Sequence, residues 1–460
     1  MRVLLIVAAS CGLVLGAPAA KHPKHSKRHA AVLSGKRKSL HRKKARHIAT
    51  GPRVSVKARA AATASVVGYL QRPTEAAIEN SSALVPFFEQ LIRYQRGEAS
   101  EDSTSTLRIL QYGDSHTAAD EWTADIRSLL QGQFGDGGAG YSLAGRPWNS
   151  YRHADLRSNA TGGWYSDGLV GRAGDGRYGL GGVSISTARA GESISLAAEC
   201  ERAELFYLQQ PGGGDIEFEA DGQTVETIRT EGETQPGYFV YKTTPGAHKF
   251  SVRTLSAAPV RLFGWVTEKN KGVTYEELGI NGAQASIMLN WDDAVLGSNI
   301  ARRNPALVVL AYGTNEAGGK DWTYATYRDM FTGLIAKLRR ATPLASILVL
   351  GPPDRYYYYR GHWAPLEKVG AIIAAQRDAS LASGCAFWDT REKMGGAGAM
   401  RQWVLSGLAQ YDHVHFTGSG YGRLGSAMYR DLMNEYATFT KARDQVAVER
   451  VADEQASKNR

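Results

Sequence analysis

Leu107-Arg108-Ile109-Leu110-Gln111-Tyr112-Gly113-Asp114-Ser115-His116 reads as a strand that runs into a tight turn. A helix is expected to follow through Asp120 to Gln131. The same unit returns after residue 270. Ala306 to Tyr312 (ALVVLAY) is an unbroken apolar run, the pattern of a strand buried on both faces, and a helix is expected from Trp322 to Arg340. Ser346 to Leu350 is the next strand, followed by a helix over Leu366–Leu381, a short strand through Phe387 and a closing helix from about Ser419 to Tyr436. Strands that alternate with helices predict an α/β domain whose parallel sheet is covered by helices on both faces.

Between the two halves the period changes to two. Asp215 to Glu219, followed by Ala220-Asp221-Gly222-Gln223, predicts a hairpin, because Asp-Gly favours the primed turn that strand twist requires. Ala203–Leu208, Tyr238–Lys242, Lys249–Leu255 and Val260–Val266 are further short strands with turn signals between them. An all-β insert, of sandwich or jelly-roll type, is therefore expected over 151–268. The α/β domain should occupy 71–150 and 269–440, opened by a helix over Glu75–Arg96 and trailed by a tail at 441–460.

Of the 460 residues 43% are hydrophobic and 22% charged, which excludes a disordered chain, collagen and a polytopic membrane protein. The net charge of +10 is misleading, because residues 1–60 hold 15 Lys and Arg and no Asp or Glu. The remaining 400 residues carry 40 basic against 45 acidic side chains, so the body has no charge surplus for a nucleic-acid groove. Arg2, the apolar run Val3–Gly16 and the small residues Ala17-Pro18-Ala19 predict a signal peptide over 1–20 and an exported, periplasmic protein. The run is short for a membrane span of about 20 residues. The basic cluster Lys21–Lys44 follows it directly and leaves open an uncleaved anchor. Residues 21–70 read as a disordered basic tail, either a spacer or a charge-mediated contact with anionic envelope polymer. Cys200 and Cys385 read as buried single thiols in different domains, and no Cys/His cluster has metal-ligand spacing.

Three segments carry chemistry. Gly113-Asp114-Ser115-His116 places a serine where a strand gives way to a helix, at the carboxyl edge where open α/β sheets hold ligands; such a serine could equally cap the helix. Gly313-Thr314-Asn315-Glu316 follows the buried strand, and Asn315 either offers its amide to the same crevice or serves the turn. Asp412-His413-Val414-His415 precedes the closing helix; an Asp three residues before a His can fold back onto the imidazole, although His413 and His116 compete for the role. The loop Tyr356-Tyr357-Tyr358-Tyr359, with His362 and Trp363, is either a sugar-stacking platform or packing, and Trp148, Tyr151 and Trp164 are equally ambiguous.

The conjunction of these blocks, in this order and at this spacing, resembles the SGNH (GDSL-type) hydrolase superfamily. Gly279-Ile280-Asn281-Gly282-Ala283 looks like its glycine block. The β insert between serine and glycine blocks, with His116 after the serine and Glu316 after the asparagine, is similar to the peptidoglycan O-acetylesterases of Gram-negative bacteria. The resemblance covers about residues 75–440 and implies a flavodoxin-like sheet carrying a carbohydrate-binding-module-like insert. It implies an esterase in which Ser115 is the nucleophile, His415 the base and Asp412 its orienting partner. Ser115, Gly282 and Asn315 would form the oxyanion hole, with no metal or organic cofactor required. The implied substrate is O-acetylated peptidoglycan or a related glycan, and the protein is expected to be a monomer. An O-acetyltransferase of the same fold and a non-catalytic glycan-binding envelope protein are the competing readings.

Overall fold

The computed structural model describes residues 54–72, 77–98, 105–172 and 174–458. Five parallel strands form the central sheet: β1 (Ser105–Gly113), β2 (Lys271–Gly279), β3 (Leu307–Ala311), β4 (Ser346–Gly351) and β5 (Ala386–Asp389). They lie side by side in the order β2-β1-β3-β4-β5, the flavodoxin-like arrangement. Alternate residues feed opposite faces. Val308 and Leu310 of β3 join one apolar core, and Leu307, Val309 and Ala311 join the other. The first face is covered by α5 (Asp293–Arg303), α7 (Tyr324–Ala341) and α8 (Lys368–Ala382). The second is covered by α1 (Val56–Gln71), α2 (Val85–Gln95), α4 (Trp122–Phe134), α10 (Met400–Ser406) and α11 (Gly418–Lys458). Short helices α3 (Ser115–Ala118), α6 (Thr314–Gly318) and α9 (Thr390–Met394) start just beyond β1, β3 and β5.

The insert is one hydrogen-bonded antiparallel sheet of nine strands folded over on itself. Two long strands, Ser193–Gln209 and Gln235–Thr254, pair along their whole length and shift register between Cys200 and Arg202. At that bulge the ribbon passes from one layer to the other. Ile194, Phe218 and Phe250 from one half meet Leu205, Leu262 and Trp265 from the other in a shared core. Asp221 and Gly222 connect the expected hairpin with φ of 52° and 79°, as a primed turn requires. A buried ion-pair network fixes the sandwich to the sheet: Glu268 accepts from Arg108 Nε at 2.7 Å, Arg303 Nη2 at 2.7 Å and Arg202 Nη1 at 2.9 Å. Burial alone would push the Glu268 carboxyl up, but Arg303 and Arg108 hold it well below the usual carboxylate range.

Several expectations need correction. The tail expected to be disordered through residue 70 ends earlier, because Val56–Gln71 is a helix that buries Ala62, Val66 and Leu70 at i, i+4, i+8 spacing; residues 21–53 lie outside the described residues. The helix expected over Glu75–Arg96 is only Val85–Gln95 behind a 3₁₀ turn at Ser81–Leu84; residues 75 and 76 lie outside the described residues. Pro86 explains the late start, since it lacks the N–H and fits only the first turn. The closing helix does not stop at Tyr436, and 441–458 is its continuation rather than a tail, because neither Gly nor Pro follows Tyr436. The antiparallel sheet already receives a strand at Gly140–Leu143, ahead of the expected boundary at residue 151. Tyr356–Tyr359 is not a loop but pairs with His362–Pro365 in a hairpin.

Candidate active site

Gly113 at the end of β1 stands in register with Gly279 of β2 and Ala311 of β3, so the turns after these strands converge at one carboxyl edge. Gly279 permits close approach: a Cβ there would lie 2.2 Å from the Ala118 nitrogen, so α3 could not settle against β2 with any larger residue. Ser115 is the first residue of α3, yet Asp114 caps that helix, accepting from the His116 N–H at 2.9 Å. The Ser115 hydroxyl is thereby free of capping duty.

That hydroxyl meets His415 Nε2 at 2.9 Å, and His415 Nδ1 meets Asp412 Oδ2 at 2.7 Å. The other Asp412 oxygen accepts the backbone N–H groups of Val414 and His415 at 2.9 and 3.0 Å. The turn is closed beneath by Gln410 N–H donating to the His415 carbonyl at 2.8 Å. Burial raises the Asp412 carboxyl, but its bonds with His415 and Val414 prevail and bring it down to about 2. The hydrogen bond that His415 donates to Asp412, joined by the charges of Asp412 and Asp114, raises the His415 pKa above its ordinary value; burial and Arg355 work against this.

The other two histidines serve elsewhere. His413 sits at φ 57° with Nδ1 on the Tyr411 carbonyl at 2.9 Å. His116 is buried, bonds Tyr421 Oη through Nδ1 at 3.0 Å, and is pushed down to about 3 by burial and by the nearby His415. It is neutral at any ordinary pH.

Asn315 lies inside α6, and the unusual backbone angle belongs to Gly313, at φ 118°. Asn315 Nδ2 donates to the Ala283 carbonyl at 2.9 Å, which ties its amide to the glycine block and leaves its second N–H uncommitted to that bond. Gly282 is exposed at φ 77°, where an L side chain would be strained. Buried Glu316 joins the two turns: its carboxylate accepts from Gly313 N–H at 3.0 Å, Ala285 N–H at 2.7 Å and Tyr327 Oη at 3.1 Å. Burial carries this carboxyl up to about 7. A groove of about 700 Å³ opens beside Gly282, between the sandwich loop carrying Val170 and Arg172 and the segment carrying Gln284 and Asn290.

The structure joins Ser115, His415 and Asp412 by hydrogen bonds and ties Asn315 to the glycine block of Gly282, on turns that follow adjacent strands of the sheet; all five residues are named from sequence. Two residues were missed. The sequence marks Glu316 only by its identity after the asparagine, not as the brace between the glycine and asparagine turns. Arg355 donates to the Thr314 carbonyl at 2.6 Å, and its charge acts on both Asp114 and Asp412. Its place just beyond β4, at the same carboxyl edge, was the available signal.

The chain matches the GDSL-like lipase/acylhydrolase family over residues 235–423. That match and the fold support an SGNH hydrolase, and enzymes of this kind are carboxylic ester hydrolases. Within that class it resembles the peptidoglycan O-acetylesterases: a solved peptidoglycan O-acetylesterase is 28% identical, with 79% of this chain and 99% of that chain covered at a TM-score of 0.67. A family two carbohydrate esterase from Cellvibrio japonicus is 12% identical over 61% of this chain and 98% of that one, at a TM-score of 0.27. One from Clostridium thermocellum is 13% identical over 55% of this chain and 95% of that one, at 0.29. Superpositions that loose add nothing on chemistry. No curated protein matches the chain.

Proposed function

We propose that the protein is an exported serine esterase that hydrolyses O-acetyl groups on peptidoglycan muramic acid. The observation that carries this reading is the Ser115–His415–Asp412 hydrogen-bond chain at the sheet edge, beside Gly282 and Asn315. The likeness to a peptidoglycan O-acetylesterase supports the substrate.

Ser115 Oγ attacks the acetyl carbonyl carbon while His415 Nε2 takes the hydroxyl proton, and Asp412 steadies the imidazolium. The tetrahedral oxyanion is received by the N–H groups of Ser115 and Gly282 and by the Asn315 amide. Collapse breaks the bond to the sugar oxygen, which leaves with the proton from His415. Water, deprotonated by the same imidazole, then attacks the acetyl-enzyme and frees acetate and Ser115. The test is acetate release from O-acetylated peptidoglycan, with chemically deacetylated polymer as control and a chromogenic acetyl ester in parallel. Cleavage of the small ester with no acetate from the polymer would reject the substrate; acetyl recovered on a second glycan hydroxyl would make the enzyme a transferase.

Asn315→Ala removes a donor used mainly in the transition state, so kcat should fall about 100- to 1,000-fold with KM little changed. A collapse of affinity at preserved turnover would instead make Asn315 a substrate-binding residue.

The basic segment is a separate matter. Residues 21–53 carry 12 Lys and Arg and no acidic residue, whereas residues 61–460 are net negative. Removal of 21–53 spares α1, which packs on the second face of the sheet. The truncated protein should keep its small-ester activity and bind insoluble anionic wall polymer less well. The difference should fade with salt, since exposed charges are screened within about 8 Å at physiological ionic strength. Equal polymer binding at low salt would reduce the segment to a spacer.

A further inference from the structure

Seven Tyr or Trp side chains are exposed among the described residues, and five of them gather at one place: Tyr357, Tyr358, Tyr359, Trp363 and Tyr411. Four lie on the hairpin formed by Tyr356–Tyr359 and His362–Pro365, and the fifth begins the turn that holds Asp412 and His415. Such clustering is not accidental surface composition, since exposed aromatic rings lose the burial that normally repays them.

The hairpin is fastened to the turn. Tyr356 N–H donates to the His413 carbonyl at 3.0 Å, while Leu366 N–H, donating to the Arg355 carbonyl at 3.0 Å, closes the base of the hairpin itself. Trp363 stacks on the His413 ring at 4.1 Å with 24° between planes. Tyr358 stands opposite Trp363 across the ladder, with ring centroids 5.2 Å apart, so the two share one face of the hairpin; Tyr357 and Tyr359 share the other. A continuous line of rings thus runs from Tyr358 through Trp363 to His413, which lies two residues before His415 and so within about 7 Å of it along the chain.

We infer that the Tyr358–Trp363 face is a subsite for sugar rings of the glycan chain that flank the acetylated residue; this rests on the glycan reading above. The chemistry favours a carbohydrate. Tyr358 and Trp363 combine an apolar ring face with a polar edge, which suits the flat C–H face and the hydroxyl rim of a pyranose. Pro365 at its base is the one exposed aliphatic side chain on the hairpin, and Arg360 and His362 lie at its tip, where a lipid or apolar peptide would leave charge and polar groups unpaired. Continuity with the His413 ring puts the platform beside the reacting ester rather than on a remote surface.

The test uses the full chain carrying Ser115→Ala, so that bound glycan is not consumed, with a soluble O-acetylated peptidoglycan fragment titrated calorimetrically. Tyr358→Ala should weaken binding about tenfold, as loss of one stacked ring predicts, and Trp363→Ala should weaken it at least as much. Tyr358→Phe, which keeps the ring, should bind like the parent, and so should Tyr357→Ala on the opposite face. In the active enzyme the kcat/KM for polymer should fall relative to that for a small acetyl ester, with the loss mainly in KM. Parent-like affinity in Tyr358→Ala and Trp363→Ala, or an equal loss in Tyr357→Ala, would overturn the platform while leaving the esterase reading intact. A wild-type enzyme that cleaves the small ester but releases no acetate from the glycan would remove both.

Discussion

Ser115→Ala should lower ester turnover by about 10⁶, the cost of losing the nucleophile in a Ser-His-Asp unit, while the protein folds as before. The fold is spared because the α3 cap is Asp114, so the hydroxyl bears no structural load beyond its bond to His415. The companion His415→Ala should be similarly damaging. His413→Ala should cost far less, because its ring nitrogen is spent on the Tyr411 carbonyl and does not reach Ser115. Steady-state acetate release with unfolding midpoints measured alongside decides the matter. A tenth of wild-type turnover surviving in Ser115→Ala would mean another nucleophile, and a reversed ranking of the two histidines would move the general base to His413.

Asp412→Asn should cost about 10⁴ in turnover and shift the pH profile, and both effects follow from backbone geometry. Asp412 Oδ1 is pinned by the N–H groups of Val414 and His415, so in the variant the amide oxygen must stay there. The NH₂ group then faces His415 Nδ1, where the carboxylate had accepted a hydrogen bond. It donates to Nδ1, which forces the proton onto Nε2 and leaves that nitrogen unable to accept from Ser115. The pH effect has a definite sign. In the wild type Asp412 raises the His415 pKa, so the neutral base accumulates only above the ordinary histidine value and the acid limb of kcat/KM lies at correspondingly higher pH. Removing the negative charge lowers that pKa, and the residual activity should hold to lower pH than in the wild type. An acid limb that stays in place would show that a group other than His415 controls it.

The legible parts of the molecule are those whose signals are local. The run Ala306–Tyr312 has only one packing solution, burial on both faces, and so announced a central strand and the turn behind it. Asp221-Gly222 announced its hairpin because few other dipeptides accept two positive φ angles in succession. The long strand Gln235–Thr254 read as two pieces, since Pro245-Gly246 looks like a turn; a bulge facing Cys200–Arg202 absorbs the irregularity instead. Helix α1 is not legible in the sequence because its buried stripe is only Ala62, Val66 and Leu70 within Ala-rich basic sequence.

By itself the sequence determined the alternation of strands and helices, the β insert, and the short blocks that hold Ser115, Gly282, Asn315, Asp412 and His415. Each depends on residues within a few positions of one another. Two matters were decided only in three dimensions: which histidine meets Ser115, and that Glu316 braces the turns of Ala285 and Gly313. Both depend on contacts between segments distant in sequence, 300 positions apart for Ser115 and His415, and local preference carries no information about such contacts.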